Sequence, residues 1–307
     1  MATTAPKKVI VMTGGNIGIG FECAKLILSS LSNVHLVLGC RDSGRADRGV
    51  SKLKAVAAES NTVESKPLQL ASFASVRRFA EDINASFPQG IHTLILNAGL
   101  MACSRQLTED KYEMNMQVNH LSQFLLAQLL LPSLRTGHAT WPDEPSSVIF
   151  VSSSLHKAGV GRGKDPNLTM ENVDGALEFD GMLFYRNSKL CQATCMHLMA
   201  ASLKDGPVTV NAICPGFVPT TDLKRESGLA TRILMDNVIS KVSAASTAAE
   251  GGARVFETIA KDRRAKNGVY YDKEGPGESS EESRDPAKQK LWWNWTCQAV
   301  GLDSLVQ

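Results

Sequence analysis

Residues 184–190 read FYRNSKL, which puts a tyrosine and a lysine four positions apart. Four residues is about one helical turn, so Tyr185 and Lys189 share a helix face. On its own, the pair fits a core tyrosine beside a lysine whose stem lies along apolar surface. It also fits a phenol whose pKa is lowered by a neighbouring cation, so that it passes protons near neutral pH. Other residues with chemistry to offer decide between these readings. TGGNIGIG occupies 13–20, directly after an apolar run and directly before a helical stretch. Gly14, Gly18 and Gly20 let the backbone turn tightly and approach a pyrophosphate, with Asn16 and Ile17 between them and a helix N-terminus facing the negative charge. About twenty residues on, where a dinucleotide ribose would lie, the chain reads GCRD (39–42). Guanidinium matches phosphate geometry, so Arg41 favours the 2′-phosphate of NADP(H). Asp42 is the counter-signal, because an acid there would serve NAD(H).

The elements that must position these residues alternate. KVIVMTG (8–14), VHLVLGC (34–40), KPLQL (66–70), IHTLILNAG (91–99), SVIFVSSS (147–154), VTVNAICPG (208–216) and NGVYYD (267–272) read as strands. Helical spacing fills the intervals at about 18–30, 45–59, 73–87, 110–134, from Tyr185 to about Leu203, and 244–262. The long helix is expected to break near its start. Continuous apolar strands separated by helices predict a Rossmann-like, doubly wound parallel α/β sheet of about seven strands, in one domain spanning 1–307. A polar stretch rich in Gly, Asp and Asn over 156–181 reads as an insertion near the site. Residues 273–307 read as a C-terminal extension that crosses the surface and docks LWWNWTCQAVGL (291–302) as a short helix.

Bulk composition narrows the classes. The 307 residues carry a net charge of +2, which gives no case for nucleic acid or an anionic membrane. No window approaches eighteen apolar residues, so no membrane span is expected. The short apolar run after MATTAPKK is not a signal-peptide core, and a cytoplasmic location is the expectation. The seven cysteines, odd in number and scattered, read as reduced, mostly buried thiols. Cys191 and Cys195 lie one helical turn apart, but no histidine or second cysteine pair sits at ligand spacing, so no metal is expected.

Taken in order, these motifs resemble the short-chain dehydrogenase/reductases. TGGNIGIG is similar to their TGxxxGxG loop and YRNSK (185–189) to their YxxxK. Asn97, Ala98 and Gly99 match their NAG signature, Asn119 in VNH their helix asparagine, and Ser153 in VSSS their active-site serine. PGFVPT (215–220), with Pro215, Gly216, Val218 and Thr220, matches their PGxVxT segment. The surrounding text resembles the retinol dehydrogenase and protochlorophyllide reductase-like branch. There are two departures: Gln69 stands where the family usually has Asp near adenine, and the interval from Ser153 to Tyr185 is longer than in short members. Ser152 and Ser154 flank Ser153. Alternate strand residues face opposite sides, so register selects Ser153.

The resemblance implies that Tyr185 passes a proton to or from the substrate oxygen while hydride moves to or from the nicotinamide. Lys189 would lower the phenol's pKa and hold the nicotinamide ribose, and Ser153 would polarise the carbonyl. Asn119 would hold a water linking Lys189 to solvent, and Val218 and Thr220 would fix the carboxamide. The expected substrate is a medium-sized, fairly apolar ketone or alcohol. Its walls would be 100–106, 155–165 and the segment 221–242, which could form a lid. Two alternatives stand beside this: reduction of a polarised C=C or C=N bond, and a non-catalytic NADP(H)-binding scaffold or sensor. Many relatives dimerise through the helices near 118–134 and 185–203. The insertion would block that surface, so a monomer is expected.

Overall fold

The protein is described here by a computed structural model covering residues 6–161, 163–218 and 246–304. Its strands are β1 Lys8–Thr13, β2 Val34–Cys40, β3 Thr62–Pro67, β4 Thr93–Leu96, β5 Ser146–Val151, β6 Val208–Ile213, β7 Tyr270–Asp272 and β8 Gly275–Gly277. They form one sheet in the order β3-β2-β1-β4-β5-β6-β7-β8. The first seven are parallel, and β8 turns back antiparallel along β7. The sheet thus has one strand more than the sequence predicts. The sequence GPG has no apolar residue to mark it as a strand, and only the hairpin from Asp272 creates it.

The helices are α1 Gly18–Ser30, α2 Ser43–Lys54, α3 Phe73–Ser86, α4 Met114–Met116, α5 Ser122–Thr140, α6 Gly181–Ser202, α7 Ala248–Glu257, α8 Lys261–Arg264, α9 Glu281–Arg284 and α10 Pro286–Ala299. Between α4 and α5 lies a π-helical turn, Gln117–Leu121, at the expected break.

Strand periodicity explains why both faces are covered. In β1, Val9 and Val11 enter one apolar core, while Ile10 and Met12 enter the other. The first core lies under α3, α5, α6 and α10, and the second under α1, α2 and α7. β3 departs from the expected KPLQL. It lies earlier, at Thr62–Pro67, paired with β2 from His35↔Thr62 to Cys40↔Pro67. It is a sheet edge, so its Thr62, Glu64 and Lys66 carry no apolar signal, while Leu68 and Leu70 are buried just beyond it. α2 ends at Lys54, short of residue 59, and α5 continues past 134 with Pro132 inside it. Strand order reverses between β1 and β4, which opens a crevice at their carboxyl ends. Thr220 and the segment 221–242 lie outside the described residues.

Candidate active site

The glycine-rich turn leaves the end of β1 at that crevice. Gly14 has φ of 68°, which favours glycine, and a Cβ there would sit 3.0 Å from the Ala98 Cβ. Gly20 is required by close approach: a Cβ would lie 2.5 Å from both Asn97 Nδ2 and the Gly14 carbonyl oxygen. Gly18 opens α1, whose N-cap, Ile17, supplies no side-chain hydrogen bond to the helix. The first N–H groups of α1 thus have no capping side chain, as an anion site at a helix start requires.

The NAG segment braces this turn. Asn97 Nδ2 donates to the carbonyls of Thr13 (3.0 Å) and Gly14 (2.9 Å), and the Ala98 N–H donates to Thr13 Oγ1 (3.0 Å). Thr13 Oγ1 in turn donates to Gln123 Oε1 (3.2 Å), whose amide donates back to the Ala98 carbonyl (2.8 Å). Gly99 lies where a Cβ would be 3.2 Å from Asn119 Oδ1 and 3.9 Å from Lys189 Nζ, joining the nucleotide end to the chemical end. Asn16 lies against Gly49 of α2. Arg41 is exposed at the carboxyl end of β2 and has no hydrogen bond or ion pair among the described residues. Asp42 caps α2 by accepting from the Arg45 N–H at 2.8 Å, so helix capping accounts for the acid. Gln69 Oε1 accepts from the Ala71 N–H at 3.4 Å.

The chemical end is assembled from β5, the π-helical turn and α6. Asp180 caps α6 by accepting from the Leu183 N–H (2.8 Å) and starts the helix that carries Tyr185 and Lys189 on one face. Ser153 follows β5 in extended conformation, and its hydroxyl is near enough to the Tyr185 phenol to favour the charged form. The neighbouring Ser152 hydroxyl is buried without a hydrogen-bond partner among the described residues, and the Ser154 N–H donates to Cys214 Sγ (3.1 Å). Lys189 Nζ donates to the Val151 carbonyl (2.8 Å) and lies 3.5 Å from Gln192 Oε1.

Burial sets the electrostatics of both groups. Desolvation pushes the Tyr185 phenol up to about 12, with the Ser153 hydroxyl opposing it. Desolvation also brings the Lys189 ammonium down to about 8. The sequence reveals the pairing of the two groups but not that both are almost wholly buried, at 8% and 3% exposed.

Asn119 is fixed by its side chain. Its Oδ1 accepts from the Leu100 N–H (2.8 Å), and its Nδ2 donates to the Leu100 carbonyl (2.9 Å) and to Ser188 Oγ (3.0 Å). The π-helical turn frees its main-chain carbonyl, which accepts from Gln192 Nε2 (2.9 Å). The connection from Asn119 to Lys189 thus runs through Gln192, a residue the sequence reading missed. Spacing alone could have found it, since it lies three residues beyond Lys189 on the same helix.

Arg186 and His156 were also missed. Arg186 is wholly buried inside the YRNSK motif. Its Nε donates to the Leu155 carbonyl (3.1 Å), and its two Nη groups donate to the carbonyls of Val160 and Lys164. Asn187 Oδ1 accepts from the Asn167 N–H (2.9 Å), so the middle of the motif anchors the insertion. Burial lowers the His156 imidazole to about 4, which keeps it neutral. Its Nδ1 donates to the Ser153 carbonyl (2.6 Å), and its Nε2 accepts from the Ser280 N–H (3.0 Å). On the far side, Arg254 Nη1 pins the PGFV segment by donating to the Pro215 carbonyl and to Ser246 Oγ, both at 2.7 Å. Gly216 packs on those two side chains and Val218 is buried.

A dinucleotide-type fold with a serine, a tyrosine and a lysine converging at its switch point defines an oxidoreductase-like architecture. The sequence profile of the short chain dehydrogenase family matches residues 8–164. Protochlorophyllide reductase A of Oryza sativa is 32% identical, over 97% of this chain and 82% of the relative. Human retinol dehydrogenase 12 is 30% identical, over 97% and 87%. A crystal structure of an uncharacterised protein from Mycobacterium paratuberculosis superposes with a TM-score of 0.72 at 23% identity, covering 98% and 97% of the two chains, a likeness of fold. The chain belongs to the short-chain dehydrogenase/reductase family of oxidoreductases, in the branch of the retinol dehydrogenases and protochlorophyllide reductases. Among the described residues, no helix is long and apolar enough to cross a membrane.

Proposed function

We propose that the protein is an NADP(H)-dependent oxidoreductase acting on a ketone or secondary alcohol of medium size and apolar character. The observation that carries this is the convergence of Ser153, Tyr185 and Lys189 beside the glycine-rich crevice. The donor set fits a nicotinamide dinucleotide. The uncapped start of α1 suits a pyrophosphate, exposed Arg41 a 2′-phosphate, and Lys189, with the segment Pro215–Val218, the nicotinamide end. That cofactor supplies or accepts the hydride.

The protein's residues handle the proton. With its pKa pushed up to about 12, Tyr185 is a neutral phenol at pH 7, the form that donates to a carbonyl oxygen as it gains charge. Ser153, beside that phenol, orients the same oxygen. Lys189, near 8, sits where a positive charge favours the phenolate left behind. Gln192 holds Lys189 in place, its Oε1 lying 3.5 Å from Nζ while its amide donates to the Asn119 carbonyl. In the alcohol-oxidising direction the same residues act in reverse.

An apolar substrate is supported by the relatives' names, since retinol is a largely hydrocarbon alcohol. The protochlorophyllide reductase relative keeps C=C reduction as a second reading, because the same phenol could protonate a polarised double bond. Ser153 favours a carbonyl. The test of the cofactor assignment is titration with NADPH and NADH by nucleotide fluorescence, for wild type and Arg41→Ala. Preference for NADPH that collapses in the variant supports the reading. Equal affinity for both nucleotides overturns the NADP(H) assignment. Tight NADPH binding with no turnover on any carbonyl or alkene would instead favour a scaffold or sensor.

A further inference from the structure

We propose that His120, Cys191 and Cys195 form a buried site for a thiophilic divalent metal ion, zinc in the first instance, that staples the π-helical turn to α6. No histidine stands near these cysteines in sequence; the fold delivers one from another helix. Cys191 and Cys195 are one turn apart on α6, so both sulfurs point to one side. A ring nitrogen of His120 and the two sulfurs all lie within 4.8 Å of one another. Zinc at about 2.3 Å from sulfur and about 2.0–2.1 Å from nitrogen would need these donors to close by no more than about an ångström.

Two further observations support a ligand. His120 is 1% exposed, and its Nδ1 has no partner among the described residues, while its Nε2 lies 2.8 Å from Thr296 Oγ1. The imidazole thus gives one nitrogen to Thr296 and keeps the other for an ion, as metal-bound imidazoles are usually held. Thr296 Oγ1 is also 3.6 Å from Cys195 Sγ, so α10 brings an oxygen to the fourth side. Charge selects the ion. All three donors are sealed from water, at 1%, 0% and 1% exposed. Binding releases the two thiol protons and forms two metal–sulfur bonds, and two thiolates neutralise a divalent ion. A neutral assembly is what a dry interior accepts. The role is structural: the ion would sit beside Asn119 and two residues beyond Lys189, fixing the spacing between their helices.

The test uses the full chain produced in zinc-replete and in cobalt-replete medium, desalted and analysed for metal. The expected result is one equivalent of zinc per chain in the wild type and in Cys23→Ala, whose cysteine lies in the opposite core. Cobalt-grown protein should show thiolate-to-cobalt charge transfer and the intense visible bands of tetrahedral cobalt. Cys195→Ser and Cys191→Ser should lose both signals, and zinc-replete protein should melt higher than zinc-free protein. Wild-type protein without stoichiometric metal or charge-transfer bands would overturn the proposal. So would metal content unchanged by either serine substitution. Where a variant fails to fold, the wild-type cobalt spectrum decides alone.

Discussion

Tyr185 and Lys189 were legible as a pair from their spacing, but their protonation was not. Composition and periodicity show that two groups share a face, whereas desolvation depends on every element packed around them. Here β5, the π-helical turn and α6 bury both, and desolvation pushes the phenol up and the ammonium down. A stability consequence follows for Lys189. Its folded value is lowered to about 8 against an ordinary 10.5, so between those values the unfolded chain holds the extra proton. Stability should therefore rise with pH across that window by up to about 3 kcal/mol from this residue. Urea unfolding at pH 8 and pH 10 should show this rise in the wild type and a smaller one in Lys189→Met. Arg186 gives a second expectation. Arg186→Gln strips charged donors from three carbonyls that anchor the insertion, each worth about 1–3 kcal/mol. It should raise the KM for the carbonyl substrate while NADPH affinity, set at the far end of the crevice, stays within about twofold; steady-state kinetics with nucleotide titration measures both.

At the scale of elements, the glycine-rich turn was read correctly from its strand–turn–helix context because its glycines answer local constraints. What holds the turn was not readable, since Asn97 and Gln123 reach it from other elements. Asn97→Ala should weaken NADPH binding about tenfold, the equivalent of about 1.4 kcal/mol, by loosening the carbonyls of Thr13 and Gly14. Isothermal titration would check this, and unchanged affinity would mean that the turn holds itself. β3 was read out of place, at 66–70, and β8 was not read at all, for one shared reason. Both lie at sheet edges, where apolar patterning fades, and tertiary pairing alone makes them strands. The π-helical turn was legible only as a break. Its purpose, freeing the Asn119 carbonyl for Gln192, needs the fold.

For the whole molecule, the doubly wound sheet followed from alternating strands and helices, and the family from motifs spread along most of the chain. The C-terminal helix was expected to dock, and its position has a consequence. Trp293 meets Phe124 edge-on at 5.0 Å, and α10 packs against α6. The helices near 118–134 and 185–203 are thereby covered by the chain's own extension as well as flanked by the insertion. We propose that the protein is a monomer that unfolds as one unit. Trp293→Ala should cost about 3–5 kcal/mol, read by guanidinium unfolding, in a single transition common to far-ultraviolet circular dichroism and tryptophan fluorescence. Light scattering across concentrations should return the mass of one chain, and a dimer would mean that another face associates.

The most direct test of the central claim compares wild type with Tyr185→Phe, following NADPH absorbance with a panel of apolar ketones and aldehydes while NADPH affinity is measured in parallel. The account predicts turnover by the wild type and a loss of about 10²–10⁴-fold in kcat for the variant, with nucleotide affinity retained. A variant that turns over at the wild-type rate would contradict the assignment of Tyr185 as the proton donor.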